Sequence, residues 1–190
     1  MKQLLASALA AGAVTIMNPA VAAPPQRLFY SGHSLLDEPL PRDVGAIAAS
    51  LGTPLQWQRH TPTGSSIRDR LAAGAAARPG PGFDTLLVTE QHTLIGNLVW
   101  NDSARQLRRL HDEFIAANPQ GRTWFYASWL NVDDRTDPRR WIAYEREASP
   151  VWQCVAAQVD AALSAEGRTD SIAFVWACCT RLLSDSRNGA

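Results

Sequence analysis

The stretch FYSGHSLLDEP, residues 29–39, sets a glycine, a histidine and a serine directly behind a short apolar run. Ser34 is the side chain with chemistry to offer there. A serine hydroxyl is a weak nucleophile until a base takes its proton and nearby N–H donors hold the developing oxyanion. Placed after a strand and before a helix, the hydroxyl would project from the edge of a sheet, with Gly32 allowing the tight turn. The plain alternative is a serine that only opens a turn. Further groups of suitable type follow behind later apolar runs: His60 and Gly64 in HTPTG, Glu90, Gln91 and His92 in TEQH, and Ser128 to Asn131. Of these, His92 and His60 could take a proton and Glu90 could line the site. His111, in Leu110-His111-Asp112, reads as a solvated helix residue. Asp133-Asp134 reads as a loop or helix start rather than a cation site, and Arg139-Arg140 as a solvated helix start rather than an anion site.

The positions of these groups follow from the elements around them. Leu28 to Ser31, Leu55 to Arg59, Thr85 to Thr89, Thr123 to Ala127 and Ile172 to Val175 read as five short strands. The unbroken TLLVT run suits a central parallel strand. Between them, helical spacing appears from Pro41 to Leu51 (Val44, Ile47, Ala48 and Leu51 on one face) and from Ser65 to Ala77 (Ile67, Leu71). It recurs from Asp102 to Asn118 (Leu107, Leu110, Phe114, Ile115), and from Pro150 onward (Trp152, Val155, Val159, Ala162, Leu163). Ser149 reads as the cap of a helix that begins at Pro150. The run ARPGPG, residues 77–82, is a loop by composition.

Strands separated by helices demand crossover connections, so the expected architecture is a three-layer α/β/α sandwich around a parallel sheet of about five strands. In such folds ligands bind beyond the carboxyl ends of the strands. That rule gathers the Gly32–Ser34, His60–Gly64 and Glu90–His92 groups at one edge.

The first residues carry one Lys, an apolar run from Leu4 to Met17 and a small-x-small ending at Ala20-Val21-Ala22. This is the layout of a secretory signal covering residues 1–22, too short for a comfortable membrane span. The expectation is a periplasmic or secreted protein of one domain, residues 23–190, with no stable membrane insertion after cleavage. Eighteen basic and 18 acidic side chains cancel without clustering, which argues against nucleic acid as a partner. Seven Trp residues are divided between core and a carbohydrate-facing groove as alternatives. Cys154 could pair with Cys178 or Cys179 in an oxidising compartment, leaving one thiol over, or all three are small buried residues. No Cys-x-x-Cys spacing or nearby histidine suggests a metal, and no cofactor is expected.

Gly32-His33-Ser34-Leu35 after an apolar strand resembles the first sequence block of the SGNH/GDSL hydrolases, with His33 where the family has Asp. Gly64 resembles that family's second block, and WFYASWLNVDD, residues 124–134, is similar to a stretch of its divergent members. Thr89-Glu90-Gln91-His92 stands where the third block usually reads Gly-x-Asn-Asp. The resemblance implies an esterase or carbohydrate deacetylase on an α/β/α fold, acting on a small-molecule or carbohydrate ester. It makes Ser34 the nucleophile, with the Ser34 and Gly64 N–H groups and the Gln91 amide forming the oxyanion hole. The family's last block, Asp-x-x-His after the fifth strand, has no counterpart in ACCTRLLSDSRNGA. The expectation is therefore a C-terminally truncated member, inactive for want of that block; a member that recruits His92 or His60 as substitute base is a second explanation. The alternative is a ligand- or carbohydrate-binding protein that does not turn its ligand over.

Overall fold

A computed structural model describes residues 25–127, 137 and 139–175. Residues 1–24, 128–136, 138 and 176–190 lie outside the described residues. With them lie the expected leader, Ser128 to Asn131, Asp133-Asp134, Cys178 and Cys179.

Five strands form the sheet: β1 Gln26–Ser31, β2 Leu55–His60, β3 Thr85–Thr89, β4 Arg122–Tyr126 and β5 Ile172–Val175. All four pairings are parallel, and the order is β2-β1-β3-β4-β5. The TLLVT run is the middle strand, as its unbroken apolar character predicts. The helices are α1 Leu40–Ser50, α2 Ile67–Ala72, α3 Ser103–Ala117 and α4 Arg139–Ala165. No described helix is long and apolar enough to cross a membrane.

Alternation along the strands divides the side chains between two layers. Phe29, Leu86, Val88, Phe125 and Ile172 face one side and form a core with Ile67 and Leu71 of α2, Leu107, Leu110 and Phe114 of α3, and Trp152, Val155, Val159 and Leu163 of α4. Phe125 meets Trp152 edge-to-face at 6.1 Å between ring centroids. α1 covers the other side over β1 and β2, where Gly45 lies against the Trp57 ring so closely that a Cβ would sit 2.5 Å from it.

Four expectations are corrected. α1 buries Pro41 and Gly45, whereas Ile47 and Leu51 stand 61% and 74% exposed, because the helix approaches the sheet through its small residues. α2 is one and a half turns long, since Gly74, at φ +86°, breaks the helix before a short 3₁₀ turn at Ala75–Ala77. α4 starts at Arg139 and runs through Pro150. Pro150 is exposed there, and its missing N–H leaves only the Arg146 carbonyl without a helical donor. His111 is fully buried instead of solvated: it lies between the Thr123 hydroxyl, 2.8 Å from Nδ1, and the Asp170 carboxylate, 2.8 Å from Nε2. The carboxylate can only accept, so Nε2–H donates to it and Nδ1 accepts from Thr123.

Candidate functional site

The strand order reverses between β1 and β3, which makes the carboxyl ends of these two neighbours the topological switch point of the sheet. Ser34 follows β1, and Glu90, Gln91 and His92 follow β3, so the two groups flank that point. β2 brings His60 and the Gly64 loop to the same edge, because Gly32 N–H donates to the His60 carbonyl at 3.1 Å and continues the β1–β2 ladder.

Ser34 begins a 3₁₀ turn, Ser34–Leu36, and its side chain is exposed. The turn is capped by His33, whose Nδ1 faces the Leu35 N–H at 3.5 Å. Its Nε2 lies 3.1 Å from the Glu90 carbonyl, which can only accept, so His33 is the Nε2–H tautomer. His33 thus ties the end of β1 to the end of β3, and burial holds its pKa down to about 4. Beneath the turn, Leu36 is wholly buried.

Gly32 is required for close approach rather than for a left-handed backbone. A Cβ there would meet the Leu36 side chain at 2.7 to 2.9 Å. The Gly32→Ala variant is expected to lose about 1–3 kcal/mol by overpacking, measured by urea unfolding. A loss below about 0.5 kcal/mol would show that Leu36 can give way.

The Gly64 loop is turned by Gly64 itself, at φ +68°, and closed by Ser65 N–H donating to the Pro62 carbonyl at 3.2 Å. The Ser65 hydroxyl lies 2.8 Å from the Pro62 carbonyl and 3.2 Å from that of Gly32, which holds the loop against the β1 end. Ser66 then caps α2 in a reciprocal box with Asp69.

Glu90 is buried and takes three donors. Ile67 N–H reaches Oε1 at 3.0 Å, Gln91 N–H reaches it at 2.7 Å, and the Ser103 hydroxyl reaches Oε2 at 2.8 Å. Burial raises its pKa against these bonds and the field of Arg70. With its oxygens committed in this way, Glu90 anchors α2, α3 and the β3 end to one another. The Gln91 amide oxygen accepts from Thr93 N–H at 3.1 Å, from the Thr93 hydroxyl, and from Asn97 Nδ2 at 3.2 Å. Its Nε2 hydrogens are therefore the end left for a ligand. His92 is half-buried, its ring 6.3 Å from that of His33. His60 stands beside Ser31 in the ladder register, and its buried Nε2 has no partner among the described residues. Burial, then the nearby Arg70 charge, lower its pKa.

The residue that sequence reasoning missed is Arg70. It is 2% exposed, and its guanidinium donates to the Ser31 hydroxyl at 3.1 Å, the Ser65 carbonyl at 2.8 Å and the Thr89 carbonyl at 2.5 Å. One side chain thus holds the ends of β1 and β3 and the Gly64 loop. The available signal was an arginine at helical spacing with Ile67 and Leu71, on a face that ought to be apolar. Asn97, also buried, closes the loop after β3 by donating to the Gln91 carbonyl. Arg139 and Arg140 are exposed at the start of α4; Cys154 is exposed rather than buried and has no disulfide partner among the described residues. Among the described residues no group of three metal-ligating side chains converges.

No protein-family model matches the sequence, and no curated protein matches it. Solved structures do. A candidate platelet activating factor from Streptococcus pneumonia superposes with a TM-score of 0.52 at 16% identity, over 83% of this chain and 68% of that one. A carbohydrate esterase family 2 enzyme with a carbohydrate-binding domain, from Corynascus thermopiles (Myceliophthora fergusii), gives a TM-score of 0.51 at 13% identity. That match covers 84% of this chain and 58% of the enzyme. At these identities the likeness is one of fold alone, and that fold is the three-layer α/β/α sandwich expected from the sequence.

Proposed function

We propose that the chain is an exported ester hydrolase with Ser34 as its nucleophile, acting on a small-molecule or carbohydrate ester and needing no cofactor. The observation that supports this is the gathering of Ser34, the Gly64 loop and Gln91–His92 around the switch point of the sheet. In the reaction Ser34 Oγ bonds to the acyl carbon and gives its proton to a base, and the alcohol leaves with a proton. Water then releases the acid and restores the serine. The Ser34 and Gly64 N–H groups and Gln91 Nε2 are the donors assigned to the oxyanion. His92 and His60 are the candidate bases, Glu90 and His33 being committed to hydrogen bonds. The test is hydrolysis of p-nitrophenyl acetate by the chain starting at Ala23. Turnover that falls to the buffer rate in Ser34→Ala is the expected result; equal rates in the two proteins would sink the assignment.

A second reading, binding without turnover, is favoured by one observation: the Ser34 hydroxyl has no bond to an imidazole among the described residues. Saturable binding of a soluble oligosaccharide, with no ester turnover in the same preparation, would establish this reading in place of the first.

A further inference from the structure

The side of the sheet that α1 covers only in part contains a cavity of about 300 Å³. Its floor is Leu28 and Tyr30 of β1, Leu87 of β3 and Trp124 of β4, and its wall is Leu40 and Val44 of α1. Among the described residues no charged side chain lines it. Trp124 is 42% exposed, an unusual position for a large aromatic side chain on an inner strand of a parallel sheet. The core on the opposite side of the sheet does not reach this space.

We propose that this groove is a binding site for a single uncharged aliphatic chain, such as that of a medium-chain alcohol or ester. Three features select that occupant. The volume is at the lower end of the roughly 300–1,000 Å³ found for small-ligand pockets, which suits one chain rather than a lipid with two. The lining offers apolar contact and no counter-charge, so an ionised headgroup inside it would be desolvated without compensation. The groove also adjoins the candidate site: Leu36, which closes the turn begun by Ser34, lines it. Burial, reinforced by Glu38, keeps the Tyr30 phenol un-ionised, with a pKa of about 12, so the floor stays neutral at any physiological pH. The binding is independent of whether Ser34 reacts.

The test uses the full chain and the neutral fluorophore N-phenyl-1-naphthylamine. Saturable enhancement is expected, reversed by 1-octanol and at least about ten-fold less effectively by octanoate, whose charge the groove cannot match. Filling the groove by Leu87→Trp is expected to weaken probe binding at least about ten-fold. If that variant does not fold, Val44→Trp makes the same change from the helix side. Ser34→Ala is expected to bind like the parent, so loss of ester turnover and loss of chain binding are read separately. Non-saturable enhancement, equal binding by the filled variants, or stronger competition by octanoate would overturn the proposal. So would binding that appears only after deletion of residues 176–190, which would make the chain's own segment the occupant. Probe release that tracks dimer formation in sedimentation would assign the groove to a second copy and overturn it likewise.

Discussion

Arg70→Met is expected to destabilise the protein by about 3–5 kcal/mol, the range for removing one member of a buried charged network. Methionine keeps much of the volume, so the loss is not a cavity effect. It arises because the Ser65 and Thr89 carbonyls, at 2.8 and 2.5 Å from the guanidinium, are left buried without a donor. The Glu90 carboxylate also loses its neighbouring positive charge. Burial lowers the Arg70 pKa to about 10, which still leaves it charged at neutral pH. Arg70→Lys keeps the charge but presents one compact ammonium in place of a planar fork, and so cannot hold three segments at once. It is expected to recover only part of the loss. Urea unfolding of the three proteins measures this, with amide exchange of residues 61–66 and 89–92 as the local readout. A loss within about 1 kcal/mol for Arg70→Met would show that the network is solvated and does not set the site's geometry.

What could be read in the sequence was whatever depends on local pattern. TLLVT predicts a buried parallel strand because every residue but its terminal threonines is apolar, and β3 occupies the centre of the sheet. The residues behind the strands were legible for the same reason, since the end of an apolar run locates the edge where Ser34 and His92 emerge. What failed depends on partners distant in sequence. His111 lies in an amphipathic stripe beside Asp112, and nothing local shows that Thr123 and Asp170 close on it from 12 and 59 residues away. Arg70 reads as a surface charge until β1 and β3 are placed beside α2. Pro150 reads as a helix start because the rule for proline is local, while the packing of Trp152 and Val155 on the core keeps the helix going. Ile47 and Leu51 fit a helical stripe, but Gly45 against Trp57 turns the other face of α1 to the sheet.

The folded protein is expected to lose about 3 kcal/mol of stability through His33 alone as the pH falls from above 6.5 to below 4, a loss that the neutral tautomer makes necessary. Burial is the main cause of its lowered pKa of about 4, and the nearby Arg70 and His92 act in the same direction against the Glu90 carbonyl. In the unfolded chain the imidazole binds its proton near the ordinary value of about 6.5. Between these two pH values the unfolded state carries the extra proton, so stability rises with pH there and drains away as pH falls. His111 contributes with the same sign, because burial lowers its pKa despite Asp170. Glu90 opposes them: its raised pKa lets the folded state take a proton first and offsets part of the loss near the acid end. Asp69 and Asp170, both lowered, add their losses below the usual carboxylate range and so in a separate window. Urea unfolding at pH 7.5, 6.5, 5.5 and 4.5 is expected to show a falling free energy. His33→Asn, whose amide oxygen can stand in for Nδ1 at the Leu35 N–H while removing the titrating ring, should flatten the slope by up to about 1.4 kcal/mol per pH unit. A profile equally steep in parent and variant would mean that His33 is protonated in the fold, and the link it makes between the β1 and β3 ends would need another geometry.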